Sequence, residues 1–277
     1  MGRLKLKRLV ENWLPPAALS LYREWKGGVS YNGNYSSWQD ALTNSTGYDS
    51  DLILEKVSSA LLKVKSGEAV YERDSVLFNR IEHPFPLLAG LFRAAAANEG
   101  KLTVMDFGGS LGSTYFQCRD FLSVLPRLKW CIVEQEGFVR RGRELFETDE
   151  LSFFFSMQEC MEIMKPNAVL FSSVLQYLEN PWDKLDEVSE STIPCVIVNR
   201  TPFVRSPIDH IVVQRVSPEI FDAKLPCWVL SMERFTETLS KKFDLISVIV
   251  NDDTGGQIDE VEFKFMGSIW QRRARSY

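Results

Sequence analysis

The chain has 277 residues, 45% hydrophobic and 25% charged, with a net charge of −5 at pH 7. That is enough apolar material for one large domain, or for a core domain with a smaller one beside it, at an ordinary charge density. The negative balance excludes broad nonspecific nucleic-acid binding, which needs clustered Lys and Arg against phosphate.

The first element is a basic amphipathic stretch. Arg3, Lys5, Lys7 and Arg8 interleave with Leu4, Leu6, Leu9, Val10, Trp13 and Leu14 before Pro15-Pro16. No continuous apolar run or small-residue cleavage site follows, so it does not read as a signal peptide. It reads as a helix packed on its own domain or on a partner, with weak contact to an anionic membrane surface as the alternative. Residues 22–48, rich in Gly, Asn, Ser, Tyr and Trp, read as loop and turn, and the rings of Trp25 to Trp38 either stack on a sugar or anchor a lid. Asp51 to Lys65 has helical spacing, with Leu52, Leu54, Val57, Ala60, Leu61 and Val64 mostly on one face. The cluster Tyr71, Glu72, Arg73 and Asp74 either lines a hydroxyl-rich acceptor pocket or forms a solvated ion-pair network. Pro84 to Asn98 is a second helix, with His83 just before it. Residues 1–100 therefore read as a mainly helical cap on the acceptor side.

From residue 101 the pattern becomes alternation. Apolar strands are expected at Leu102–Met105, Leu128–Val133, Leu151–Phe155, Ala168–Phe171 and Cys195–Val198. Helices are expected between them at Ser113–Val124, Phe138–Phe146, Met157–Met164 and Trp182–Ser189. Near-continuous apolar strands alternating with helices predict an α/β fold, a mainly parallel sheet covered on both faces. A long connection, Pro202 to Arg215, follows the fifth strand and carries His210. Met232 to Lys242 reads as a helix, and Leu245–Val250 and Val261–Trp270 flank a turn-rich segment, which predicts a C-terminal antiparallel hairpin.

The segment with the clearest chemistry is Leu102-Thr103-Val104-Met105-Asp106-Phe107-Gly108-Gly109-Ser110-Leu111-Gly112, a strand passing through a glycine-rich turn into a helix. Such a turn lets a ligand approach bare backbone at the carboxyl end of a strand, near the positive end of the next helix. No register gives G-x-G-x-x-G: the slots counted from Gly108 hold Ser110 and Ser113, and those counted from Gly109 hold Leu111 and Thr114. Asp106 either orients the turn, meets a ligand ammonium, or caps the helix. Glu134, directly after the second strand, suits the paired hydroxyls of a ribose, which indicates an adenosine ligand without naming it. His210 and His83 are the candidates for a general base, each weighed against a purely structural role.

Cys118, Cys131, Cys160, Cys195 and Cys227 are widely spaced and odd in number, which reads as reduced, buried thiols of a cytoplasmic protein, possible contact with the inner membrane face aside. With two histidines and no C-x-x-C pair, no metal site is expected. No apolar stretch reaches the roughly 20 residues of a membrane span.

The acid-x-Gly-x-x-x-Gly run Asp106 to Gly112, with Ser110 at the usual middle glycine, resembles the first motif of class I S-adenosylmethionine-dependent methyltransferases. The C-terminal hairpin resembles that core too, whose last strand inserts antiparallel. The chain from about 25 to 230 is similar to an uncharacterised bacterial methyltransferase-like family whose members often occur among genes for cell-surface polysaccharide synthesis. That resemblance rests on the Tyr/Trp-rich start, Gly47-Tyr48-Asp49, Tyr71-Glu72-Arg73-Asp74-Ser75, the glycine turn and Leu225-Pro226-Cys227-Trp228. It implies a Rossmann-like class I methyltransferase core over residues 101–277 and S-adenosylmethionine as cofactor, held by Asp106, Gly108, Gly109, Ser110, Gly112 and Glu134. It further implies that Ser156 or Gln158 meets the adenine amino group with Met157 on the ring, and that Ser172 and Gln176 face cofactor and acceptor. The implied reaction is methylation of a sugar or related hydroxylated small molecule or glycan. Two other readings stay open: a methyltransferase-like binding module in polysaccharide assembly, and an NAD-dependent sugar-modifying enzyme.

Overall fold

The computed structural model describes residues 29–46, 50–73, 75–216, 223–251 and 255–274. The basic stretch over residues 3–14, Gly47-Tyr48-Asp49, Asp74 and the side chain of Arg73 lie outside the described residues.

The centre of the molecule is a mainly parallel sheet. Strands β4 (Lys101–Phe107), β5 (Arg127–Val133), β6 (Leu151–Phe154), β7 (Ala168–Ser172) and β8 (Cys195–Val204) run parallel in the order β6-β5-β4-β7-β8. Beyond β8 the sheet continues with β13 (Val261–Arg272), antiparallel, and then β11 (Phe243–Val250), antiparallel to β13. A short strand, β12 (Gly256–Ile258), also pairs with β13. The expected C-terminal hairpin is thus present and inserts its second strand next to β8, giving the Rossmann-like class I arrangement.

The parallel strands are apolar on both faces because helices cover both. Alternate residues such as Val104, Trp130, Ile132, Leu170 and Ile197 face one layer. That layer is built from α2 (Ser50–Lys65), α3 (Phe85–Ala96), α4 (Ser113–Leu122) and α5 (Glu136–Leu145). Their neighbours Met105, Cys131, Val133, Val169 and Val198 face α6 (Met157–Met164), α7 (Pro181–Glu190) and α8 (Met232–Ser240). Both helices expected in the N-terminal block form, and they lie on the sheet. The α3 helix buries Leu87, Leu88 and Leu91, each stabilising by about 1.5–3 kcal/mol. Its Gly90 sits so close that an added Cβ would lie 3.0 Å from Ile197 Cδ1.

Two expectations fail in instructive ways. Residues read as loop and turn contain strand β1 (Ser30–Tyr35) and helix α1 (Trp38–Thr43). The β1 strand tolerates its turn-forming residues because its register shifts between Asn32 and Tyr35, where Gly33 takes φ +77. The connection read from Pro202 to Arg215 holds the outer half of β8 and a further strand, β9 (His210–Arg215). With β10 (Lys224–Ser231) these strands form an extension in the order β1-β9-β10-β8, joined where Leu230 pairs Phe203. Between residues 66 and 84 lies a separate hairpin, β2 (Tyr71–Arg73) and β3 (Val76–Phe78), a two-stranded sheet apart from the central one. Among the described residues no helix is long and apolar enough to cross a membrane.

Candidate functional site

The strand order reverses at β4, between β5 and β7, and the loops leaving these strands meet there. Gly108 leaves β4 at φ +71 and donates its N–H to Val133 O (2.9 Å). Ser110 takes φ +55 and Gly112 φ +106, after which the α4 helix begins. Ser110 thus adopts the left-handed conformation that glycine usually supplies, at about 1–2 kcal/mol. Gly109 has no room for a side chain, since a Cβ would lie 2.6 Å from Asp106 Oδ2.

Asp106 is therefore tucked beneath the turn, 1% exposed, and accepts a hydrogen bond from Trp130 Nε1 (2.9 Å). Burial pushes its carboxyl up to about 7; the indole donor opposes this and the charge of Glu134 adds to it. Of its three expected roles, the buried position leaves orienting the turn. Glu134 stands at the rim, half-buried. Its Oε1 accepts the Ser110 N–H (3.2 Å) and its Oε2 the Gln135 N–H (2.7 Å), while burial raises its pKa. Each oxygen retains a lone pair for a further donor.

The side chains after β6 take loop and helix-start roles. Ser156 caps α6 by accepting the Glu159 N–H (3.1 Å), Met157 is buried in the core, and exposed Gln158 bonds Glu162 (2.9 Å). Phe155, just before them, is 47% exposed at the end of β6, with the Arg143 guanidinium 4.7 Å from its ring centre. Sequence reasoning missed it by counting Phe155 as the last strand residue.

After β7, Val174 closes against the turn: a Cβ on Gly108 would lie 2.3 Å from its Cγ2. Ser172 Oγ accepts from Asn199 Nδ2 (3.3 Å), and Asn199 Oδ1 accepts from Asn251 Nδ2 (3.1 Å). Gln176 is fully buried; its amide nitrogen donates to Ser173 Oγ (3.1 Å), and its Oε1 has no partner among the described residues. Ser173 (φ +57) and Arg200 (φ +51) are left-handed, like Ser110. Strained non-glycine residues thus lie after β4, after β7 and within β8, three neighbouring strands, a concentration typical of functional sites.

The N-terminal cluster divides. Tyr71 is buried and stacks on Phe78 (centroids 5.7 Å). Glu72, 1% exposed, accepts from Ser113 Oγ at the start of α4 and from the Ser75 N–H (3.2 Å).

Neither histidine reaches the turn. His83 packs on Phe121 (centroids 4.7 Å), eight residues or about 12 Å along α4 from Ser113. His210, expected on a loop, begins β9 because the alternating HIVVQR run pairs on both sides, with β1 and β10. Its Nδ1 lies 3.3 Å from Asn34 Oδ1. Its strand partner Val229 adjoins the Leu230–Phe203 pair, about 13 Å further along β8 than Asn199. Among the described residues no three His, Cys, Asp or Glu side chains are grouped to hold a metal ion.

No family model and no curated protein matches the chain. Among solved structures it is similar to the N-terminal domain of EvdMO1, crystallised in the presence of SAH and D-fucose, at 15% identity and TM-score 0.44, over 73% of this chain and 90% of that one. An S-adenosylmethionine-dependent methyltransferase from Clostridium acetobutylicum ATCC 824 matches at 9% identity and TM-score 0.39, over 67% and 92%. Magnesium protoporphyrin IX methyltransferase from Synechocystis PCC 6803, with bound SAM, matches at 10% identity and TM-score 0.39, over 66% and 77%. Likenesses at this level leave the chemistry to be read from the chain's own residues.

Proposed function

We propose that the chain is an S-adenosylmethionine-dependent methyltransferase that methylates a hydroxyl of a sugar or similar small molecule or glycan, in surface polysaccharide synthesis. The observation that carries this reading is the Glu134 carboxylate held on the glycine turn by the Ser110 N–H. It offers a diol acceptor at the switch point, in a turn underlaid by a second carboxylate, Asp106. A pyrophosphate would lack the G-x-G-x-x-G backbone that receives it, whereas a cationic adenosine compound sits well beside the Glu134 carboxylate.

The residues fit such a cofactor. Glu134 would take the ribose hydroxyls, the exposed ring of Phe155 would meet the base, and the bare backbone at Gly108 would face the methionine part. When bound, the cofactor supplies an electrophilic methyl group on sulfur. The chain's share is then orientation and exclusion of water, enough for most of the acceleration in an in-line transfer. The half-buried Ser172 hydroxyl and the buried amides of Gln176 and Asn199 suit a hydroxylated acceptor.

A second reading is favoured by one observation: both histidines stand away from the turn, so among the described residues no histidine is lined up there for a hydroxyl proton. That is what a methyltransferase-like binding module in polysaccharide assembly would look like.

Calorimetry with S-adenosylhomocysteine, with NAD as comparison and Glu134→Ala as control, tests the cofactor. Binding of the first ligand alone, weakened by the variant, is expected. Transfer of labelled methyl to a panel of sugar nucleotides then separates enzyme from binding module. Absence of S-adenosylhomocysteine binding to folded protein would overturn both.

A further inference from the structure

We infer that Asn251 is a positioning residue that makes the Ser172 hydroxyl a hydrogen-bond donor toward the acceptor, which must present an oxygen lone pair there. The inference rests on the methyltransferase reading above and deepens it at the acceptor side.

Ser172 stands beside the glycine turn. Phe171 pairs in register with Phe107, so the residues that follow them, Ser172 and Gly108, lie side by side at the ends of β7 and β4. On its other side Ser172 pairs with Asn199 of β8. There β8 bulges: Met266 pairs Thr201 and Ser268 pairs Val198, so two residues, Asn199 and Arg200, stand opposite one, Gly267. Only glycine fits opposite them, since a Cβ on Gly267 would lie 2.3 Å from Val198 O. At the bulge the left-handed Arg200 donates its N–H to Oδ1 of Asn251 (3.3 Å), the residue directly after β11.

A backbone N–H can only donate, and this fixes the direction of every bond beyond it. Asn251 must turn its oxygen to Arg200 and its Nδ2 to Asn199 Oδ1 (3.1 Å). Asn199 must then offer its Nδ2 to Ser172 Oγ (3.3 Å). Ser172 is left to accept on this side, so its own proton is not used within the chain of bonds. No acceptor takes that proton among the described residues. Ser172 is half-buried beside the turn, where a bound acceptor can reach it. An oxygen next to the reacting hydroxyl can accept this proton, whereas an ammonium, which has donors only, cannot.

Asn251→Asp reverses this order with almost no change of shape. The carboxylate still accepts from Arg200 but cannot donate to Asn199. The Asn199 amide then turns over, and Ser172 gives its proton to Asn199 Oδ1. Labelled methyl transfer to the panel of sugar nucleotides is compared for wild type, Ser172→Ala, Asn251→Asp and the double variant. Calorimetry with S-adenosylhomocysteine and the Asn199 side-chain amide resonances are measured alongside. Each single variant should lose about tenfold in kcat/KM, mostly through KM, with S-adenosylhomocysteine affinity within about twofold of wild type. The double variant should lose no more than either single one, and the Asn199 resonances should shift in Asn251→Asp. A loss caused only by the new charge would instead persist in full on the Ser172→Ala background. Should Asn251→Asp fail to fold, Asn199→Asp, whose oxygens take the Asn251 and Ser172 protons alike, must give the same loss. For a sugar nucleotide that is bound but not methylated, the same comparison is read as calorimetric affinity. Full function in Asn251→Asp, or losses that add in the double variant, would overturn the inference and leave the methyltransferase reading intact. So would a wild type that binds S-adenosylhomocysteine but no member of the panel. Failure of the wild type to bind S-adenosylhomocysteine would overturn that reading and this inference with it.

Discussion

Trp130 on β5 donates its indole N–H to the carboxylate of Asp106 on β4 (2.9 Å), and both side chains are buried beneath the glycine turn. The pair makes stability depend on pH. The Asp106 carboxyl stands at about 7 in the folded chain against an ordinary 3.8. Through that window the folded state holds a proton that the unfolded chain has lost. The contribution is therefore complete below 3.8, is lost as pH rises toward 7, and is flat above. Asp106→Asn keeps an acceptor for the indole and carries no charge. Its melting temperature relative to wild type should climb between pH 4 and 7 and then level off. At pH 8 the variant should be the more stable by a few kcal/mol, at about 1.4 kcal/mol per pKa unit. Parallel melting curves for the two proteins would contradict this.

Gly108 and Val174 tie the turn to the loop after β7. Gly108→Ala places a Cβ 2.3 Å from Val174 Cγ2 at a backbone φ of +71. Steric overlap and left-handed strain together should cost about 3 kcal/mol. Val174→Ala in the same chain removes the Cγ2 contact, leaving a 2.9 Å approach to Cβ and the strain, so the double variant should recover part of the loss. A coupling of about 1 kcal/mol or more in urea unfolding is expected. Strict additivity would mean that the two loops move apart freely.

Much of this architecture was legible beforehand. The five parallel strands and the helices between them follow the expected segments closely, because burial on both faces writes unbroken apolar runs into the sequence. The antiparallel extension was not legible. Pro226 lies inside β10, yet that strand reaches β8 only at Leu230 and Ser231, so the missing N–H is tolerated. At the site, the turn and Glu134 could be read because neighbouring positions carry them. Glu72 against Ser113 and Asn199 against Ser172 depend on where separate elements arrive. No local pattern encodes that meeting.

The five cysteines are all buried. Burial pushes Cys118 and Cys195 up to about 12 and raises Cys227, while the hydrogen bond with Cys131, and then burial, raises Cys160. Thiolate is the reactive form, so the native protein should release almost no colour from a disulfide reagent at pH 8 and react at all five positions in denaturant. Rapid labelling of one thiol in the native state would show that its core cluster opens.

Ser110 is the departure from the expected glycine pattern, and its backbone shows why the turn survives it. The residue sits at φ +55, and its N–H meets Glu134. Ser110→Gly removes the left-handed cost of about 1 kcal/mol but loosens the unfolded chain by about 0.5–1 kcal/mol. Net stability should therefore change by less than about 1 kcal/mol. Ser110→Val combines a branched Cβ with the same φ and should lose about 2 kcal/mol. It should also weaken S-adenosylhomocysteine binding, because shifting this N–H releases Glu134 from the turn. If Ser110→Gly instead tightens that binding tenfold or more, the serine side chain obstructs the ligand, and Glu134 is not what limits affinity. An unchanged affinity assigns the role of position 110 to its backbone, which any residue able to hold the left-handed turn can supply.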